Sequence, residues 1–92
     1  MKIGYARVST IDQNLDLQID ALKKAECGRI FQEKITGTKT ERPQLQEAID
    51  YARPKDILVV WKLDRLGRSL SNLLEIMATL RTQRIAFRSL TE

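Results

Sequence analysis

The chain has 92 residues and a formal net charge of +4, with 16 lysines and arginines against 12 aspartates and glutamates. This length makes one small domain that buries roughly 60–65% of its unfolded surface, and 42% hydrophobic with 30% charged residues is an ordinary soluble balance. No apolar run approaches the ~20 residues that span a bilayer, MKIGYARVS lacks a signal-peptide core, and one cysteine without any histidine excludes an internal disulfide, a histidine zinc site and a histidine general base.

The elements alternate along the chain. A first strand is expected over residues 2–8. Thr10 and Gln13 have capping-box spacing, and a helix follows over residues 11–25 with Leu15, Ile19 and Leu22 on one face. Gly28 is the expected helix stop, and Cys27 before it reads as a small packed residue. A second strand covers residues 29–34. The polar loop ITGTKTER leads to Pro43, suited to a first helical turn, and Leu45, Ala48, Ile49 and Ala52 form the buried stripe of a second helix. The third strand, residues 57–61, is apolar almost without a break, as in a parallel sheet covered on both faces. KLDRLGRSLS opens a third helix, which starts at Ser69 or Ser71, runs to Thr82 and carries Leu73, Leu74, Met77 and Leu80. A fourth strand is expected over residues 84–89.

This order predicts an α/β fold: an open, mainly parallel sheet of about four to five strands with helices on both faces. The chain stops three residues after the fourth strand, which suggests a piece of a longer protein.

In a parallel sheet all C-terminal strand ends lie on one edge, where ligands bind at the point of strand-order reversal. Ser9 follows the first strand and Arg7 lies near its end; Arg42 precedes the second helix; Asp64, Arg65 and Arg68 follow the third strand. Four guanidiniums converging on one region repel unless an anion sits among them, and phosphate is the anion that arginine grips with paired hydrogen bonds. Nine of the 16 basic residues are arginines, while the five aromatics are scattered through apolar runs and build no platform for stacking bases. A serine hydroxyl among these charges has a phosphorus to attack, with arginines to stabilise the equatorial oxygens of the transition state. Arginine stays protonated and is a poor base, so Asp64 is left to orient an arginine or assist proton transfer. Each residue alone has a plainer reading: Ser9 as a helix-start hydroxyl, Asp64 and Arg65 as a surface ion pair, and Arg42 as a solvated side chain. Lys23, Lys24 and Arg81 read as solvated helix positions. Gln18 lies one position from the apolar stripe, and spacing gives it no role. The residues themselves thus reach an anion site with a candidate nucleophile, not a substrate.

YARVSTIDQ, with Tyr5, Arg7, Ser9 and Gln13, resembles the opening motif of the serine recombinases, the DNA invertases and resolvases. VVWKLDRLGRS resembles their second signature, TGTKTERPQL their mobile arginine loop, and FRSLTE the stretch after their fourth strand. The resemblance covers essentially the whole chain in order. It implies a resolvase-like catalytic domain over residues 1–92, with the family's long dimerisation helix and helix-turn-helix DNA-binding domain lying outside this sequence. It implies that Ser9 attacks a DNA phosphodiester, becomes joined to the 5′ phosphate and releases the 3′ hydroxyl. Arg7, Arg42, Arg65 and Arg68 match the arginines around that phosphate, Asp64 its acidic partner, and Tyr5 and Gln18 substrate-binding positions beside them. No metal and no cofactor are implied. The implied partners are double-stranded DNA and further copies of the protein as dimer and tetramer, with no membrane. The implied location is cytoplasmic and nucleoid-associated, in a bacterium or phage. Two other readings stand beside this one. A catalytically silent DNA-associated or regulatory module would have no need of Ser9. A nucleotide-binding domain of receiver or flavodoxin kind would carry a glycine-rich loop or acidic pocket after the first strand, where this chain has Arg7 and Ser9.

Overall fold

Seven elements alternate as the apolar periodicities require: β1 (Lys2–Ser9), α1 (Leu15–Lys24), β2 (Arg29–Ile35), α2 (Pro43–Tyr51), β3 (Ile57–Val60), α3 (Leu70–Thr82) and β4 (Ala86–Ser89). The structure, a computed structural model, describes residues 1–9, 15–35, 43–62 and 70–91, without the side chains of Val8, Ser9, Leu15 and Ile35. The expected Thr10–Gln13 capping box lies outside the described residues.

The strands form one sheet in the order β2-β1-β3-β4, every neighbouring pair parallel. The fold class is therefore as expected, with four strands among the described residues. From β1 the chain steps to one side and then crosses back over β1 to reach β3. Right-handed crossovers place the helix of the first step on one face and the helices of the later steps on the other. The core divides accordingly. Leu22 and Ile19 of α1 pack with Ala6 and Val59 on one face. Leu45, Ala48 and Ile49 of α2, with Ile76 and Leu80 of α3, pack with Ile3, Tyr5, Phe31, Leu58 and Val60 on the other. β3 is covered on both faces, as its unbroken apolar run predicts. Gly4 lets α1 approach closely: a Cβ there would stand 3.1 Å from Leu22 Cδ1 and 3.2 Å from Ile30 Cγ1.

Three expectations about element ends and faces are corrected. The left-handed residue that stops α1 is Glu26 (φ 66°), not Gly28. Glu26 N–H donates to the Lys23 carbonyl and Cys27 N–H to the Leu22 carbonyl, the paired bonds of a Schellman ending. Gly28 instead gives its N–H to the Lys2 carbonyl at the approach to β2. The fourth strand starts at Ala86 rather than residue 84. Arg84 (φ 61°) is the left-handed residue of the same motif after α3, with Ile85 N–H on the Leu80 carbonyl and Arg84 N–H on the Arg81 carbonyl. Leu74 is 58% exposed rather than buried. Consecutive helical residues point about 100° apart, so with Leu73, Ile76, Met77 and Leu80 facing the sheet, Leu74 turns outward beside Leu70. Lys23, Lys24 and Arg81 are exposed as expected. Cys27 is half-buried, and burial raises its thiol pKa while Lys2 opposes the rise.

Candidate active site

The two ladders of β1 end at different heights. Against β2 it stays paired through Ser9↔Ile35, but against β3 only through Tyr5↔Val60. The last residues of β1, with Arg7 and Ser9, thus run past the end of β3, at the point where the strand order reverses. This is the crevice where open α/β sheets take their ligands. Arg7 is 8% exposed, and by strand alternation it lies on the Ile3–Tyr5 face, under α2 and α3. The backbone of Ser9 closes β1 at the same edge.

Two expected site residues are interior. Tyr5 is fully buried, and its hydroxyl donates to Glu33 Oε2. Gln18 is fully buried, with Nε2 donating to the Arg7 carbonyl (3.0 Å) and Oε1 accepting from Arg7 N–H (3.2 Å). The polar ends of both are thus engaged with the protein beside Arg7. Arg42, Asp64, Arg65 and Arg68 lie outside the described residues, as does the side chain of Ser9. Among the described residues, no group of three or more histidine, cysteine, aspartate or glutamate side chains has a metal-holding arrangement.

Glu33 is a site-edge residue that the sequence reading missed. It pairs in register with Arg7, is 6% exposed, and accepts both the Tyr5 hydroxyl and, on Oε1, the N–H of Gln44 at 3.2 Å. Gln44 is the second residue of α2, so a buried carboxylate caps that helix where its unpaired N–H groups carry partial positive charge. Glu33 sits two residues after Phe31 on an apolar face, and that spacing was the signal for it.

Beyond β3, Lys62 Nζ lies 4.8 Å from the centre of the Trp61 ring. Thr91 ties the end of β4 to the same place, donating from N–H (3.2 Å) and Oγ1 (2.8 Å) to the Trp61 carbonyl.

The family model described as Resolvase, N terminal domain matches residues 2–92. The chain belongs to this resolvase family. Serine recombinase gin of Escherichia phage Mu is 54% identical over 92 residues, which are all of this chain and 48% of that protein. DNA-invertase hin of Salmonella typhimurium is 53% identical over 90 residues, 98% of this chain and 47% of that protein. Transposon Tn552 resolvase of Staphylococcus aureus is 49% identical over 92 residues, all of this chain and 47% of that protein. The chain thus spans about half the length of the curated relatives it matches.

Proposed function

We propose that this chain is the catalytic domain of a site-specific serine recombinase of invertase or resolvase type. Its substrate is double-stranded DNA at a recombination site. Ser9 Oγ attacks the phosphorus of one phosphodiester, the P–O3′ bond breaks, and the 3′ oxygen leaves with a proton as the 3′ hydroxyl. The 5′ phosphate stays on Ser9 as a phosphoserine ester until a 3′ hydroxyl attacks it in reverse. Because the ester conserves the bond, rejoining needs no ATP.

Arg7, Arg42, Arg65 and Arg68 hold the equatorial oxygens and supply the positive charge of the transition state, with Asp64 orienting an arginine or assisting proton transfer. Tyr5 and Gln18 stand beside the phosphate site on its protein side. The proposal extends to the whole protein: residues 1–92 as its catalytic domain, a dimerisation helix and a helix-turn-helix DNA-binding domain beyond, assembly as dimer and tetramer, and work in the cytoplasm at the nucleoid.

The observation that carries this reading is the placement of Arg7 and Ser9 where β1 runs past the end of β3, in a chain matched to the resolvase family over residues 2–92. The test is recombination of a supercoiled plasmid carrying the two native flanking sites by the whole protein as encoded. Wild type is expected to invert or excise the segment between them, and Ser9→Ala to bind the sites without cutting. Binding by wild type with no cut or rejoined product would favour the catalytically silent DNA-associated module.

A further inference from the structure

We propose that Gln18 is a positioning residue for strand cleavage: its side-chain amide replaces β3 as the ladder partner of Arg7, holding the end of β1 without touching DNA. The inference rests on the recombinase reading above.

The hydrogen-bonding directions of β1 alternate. The Met1 carbonyl accepts from Ile57 N–H, on the β3 side, and the Lys2 carbonyl accepts from Gly28 N–H, on the β2 side. Arg7, an even number of residues from Met1, therefore turns its N–H and carbonyl towards β3. Yet the β1–β3 register ends at Tyr5↔Val60, so the residue due opposite Arg7, Lys62, lies past the strand. Continued by two residues, the ladder would aim Arg7 N–H at the Trp61 carbonyl; Arg7 N–H donates to Gln18 Oε1, and the Trp61 carbonyl accepts from Thr91. A carboxamide carries one acceptor and two donors on a single plane, so it can meet an N–H and a carbonyl of one residue together. Gln18 does this from the buried face of α1, with both bonds at 3.2 Å or less and the side chain at 0% exposure.

The clamp has a specific consequence. β3 must stop early to open the crevice, and β1 must continue in order to carry Arg7 and Ser9 into it. A strand end paired on one side only frays. Gln18 restores the second side with a group that leaves the crevice open, because it comes from the helix rather than from a longer β3. Misplacement of a reacting group by about 1 Å costs on the order of a hundredfold in rate, so a clamp on the backbone two residues from the nucleophile acts on the rate of cleavage.

The test uses the whole protein as encoded with supercoiled DNA bearing its native sites. The rate of covalent adduct formation at saturating DNA, DNA affinity and Arg7 amide exchange are measured together. Gln18→Met fills the space without either bond; it is expected to slow adduct formation by about a hundredfold, leave DNA affinity unchanged and speed Arg7 exchange. Gln18→Glu keeps the decision open should that variant fail to fold. A protonated carboxyl offers the one donor and the one acceptor that the clamp uses, and a carboxylate offers no donor. Burial raises such a group above its ordinary pKa of ~4.3. Relative to wild type at the same pH, this variant should therefore approach the wild-type rate and Arg7 protection at the acid end and fall below both as pH rises. A wild-type rate in Gln18→Met despite a labile Arg7 amide would overturn the inference, as would a pH profile of Gln18→Glu parallel to wild type. A loss of DNA affinity at unchanged saturated rate would overturn it too, making Gln18 a DNA contact. Inert wild type on bound DNA counts against the recombinase reading itself; active wild type with indifferent variants counts against this inference alone.

Discussion

The Tyr5–Glu33–Gln44 chain makes a quantitative prediction. Tyr5 and Glu33 are both buried, and the carboxylate takes one donor from the central strand's side chain and another from the first turn of α2. Glu33→Leu takes the carboxylate acceptor from the buried Tyr5 hydroxyl, at about 1–3 kcal/mol, and removes the helix cap at about 1 kcal/mol more. Tyr5→Phe deprives a buried carboxylate of a donor, at about 1.5–3 kcal/mol. In the double variant the Tyr5–Glu33 donor and acceptor are removed together and the cap is missing, so the cost falls back to about 1–2 kcal/mol. The coupling energy should therefore be about 2.5–5 kcal/mol, at or above the upper end of the range of about 0.5–3 kcal/mol for residues in contact. A domain of this size has about 5–14 kcal/mol of total stability, so all four proteins should be measurable by urea unfolding followed through Trp61, the single tryptophan. Additive costs, within about 0.3–0.5 kcal/mol, would refute the account of a single shared network.

Three further expectations concern the rest of the fold. Glu26→Gly and Arg84→Gly place glycine where φ is 66° and 61°, so each should stabilise by about 0.5–1 kcal/mol and raise the thermal midpoint. Leu74→Gln should change stability by under about 0.5 kcal/mol, whereas Leu80→Ala should cost about 2–5 kcal/mol, because one side chain faces solvent and the other the sheet. Asp56 accepts from Arg53 N–H (2.9 Å) and from the Met1 ammonium (3.0 Å), and these bonds, that to Arg53 first, lower its carboxyl pKa. A lowered folded-state value contributes stability that is present above the unfolded value of ~3.9 and is lost as pH falls through the folded one. Acid titration of stability should show that loss in wild type and not in Asp56→Asn.

Much of the architecture was legible in the sequence because it depends on period and order. The unbroken apolar run of β3 announced a strand covered twice, and the strand–helix alternation announced a parallel sheet. The element ends were less legible. Glu26 and Arg84 adopt left-handed φ because two Schellman bonds hold them there, and neither residue type advertises it. In α3, Leu73 and Leu74 are adjacent, so only one can face the sheet; the neighbours at 76, 77 and 80 decide which. At the site, Arg7 and Ser9 were readable from their place at a strand end. Spacing gave Gln18 no role and only the resemblance pointed to it, although it stands four residues before Leu22 on the buried side of α1. Glu33 was missed, as a charge on the Phe31 face of β2. Both meet needs of other parts of the backbone, the end of β1 beyond β3 and the first turn of α2, and those needs become visible only when the ladders have been traced.

The central claim is that Ser9 becomes covalently joined to DNA. The whole protein would be mixed with supercoiled DNA carrying its native sites, quenched in denaturant, digested, and its DNA-linked peptide sequenced by mass spectrometry. The account predicts a 5′-phosphoryl nucleotide on Ser9 and no adduct with Ser9→Ala. An adduct on another residue, one that survives Ser9→Ala, or none from wild type on bound DNA would contradict it.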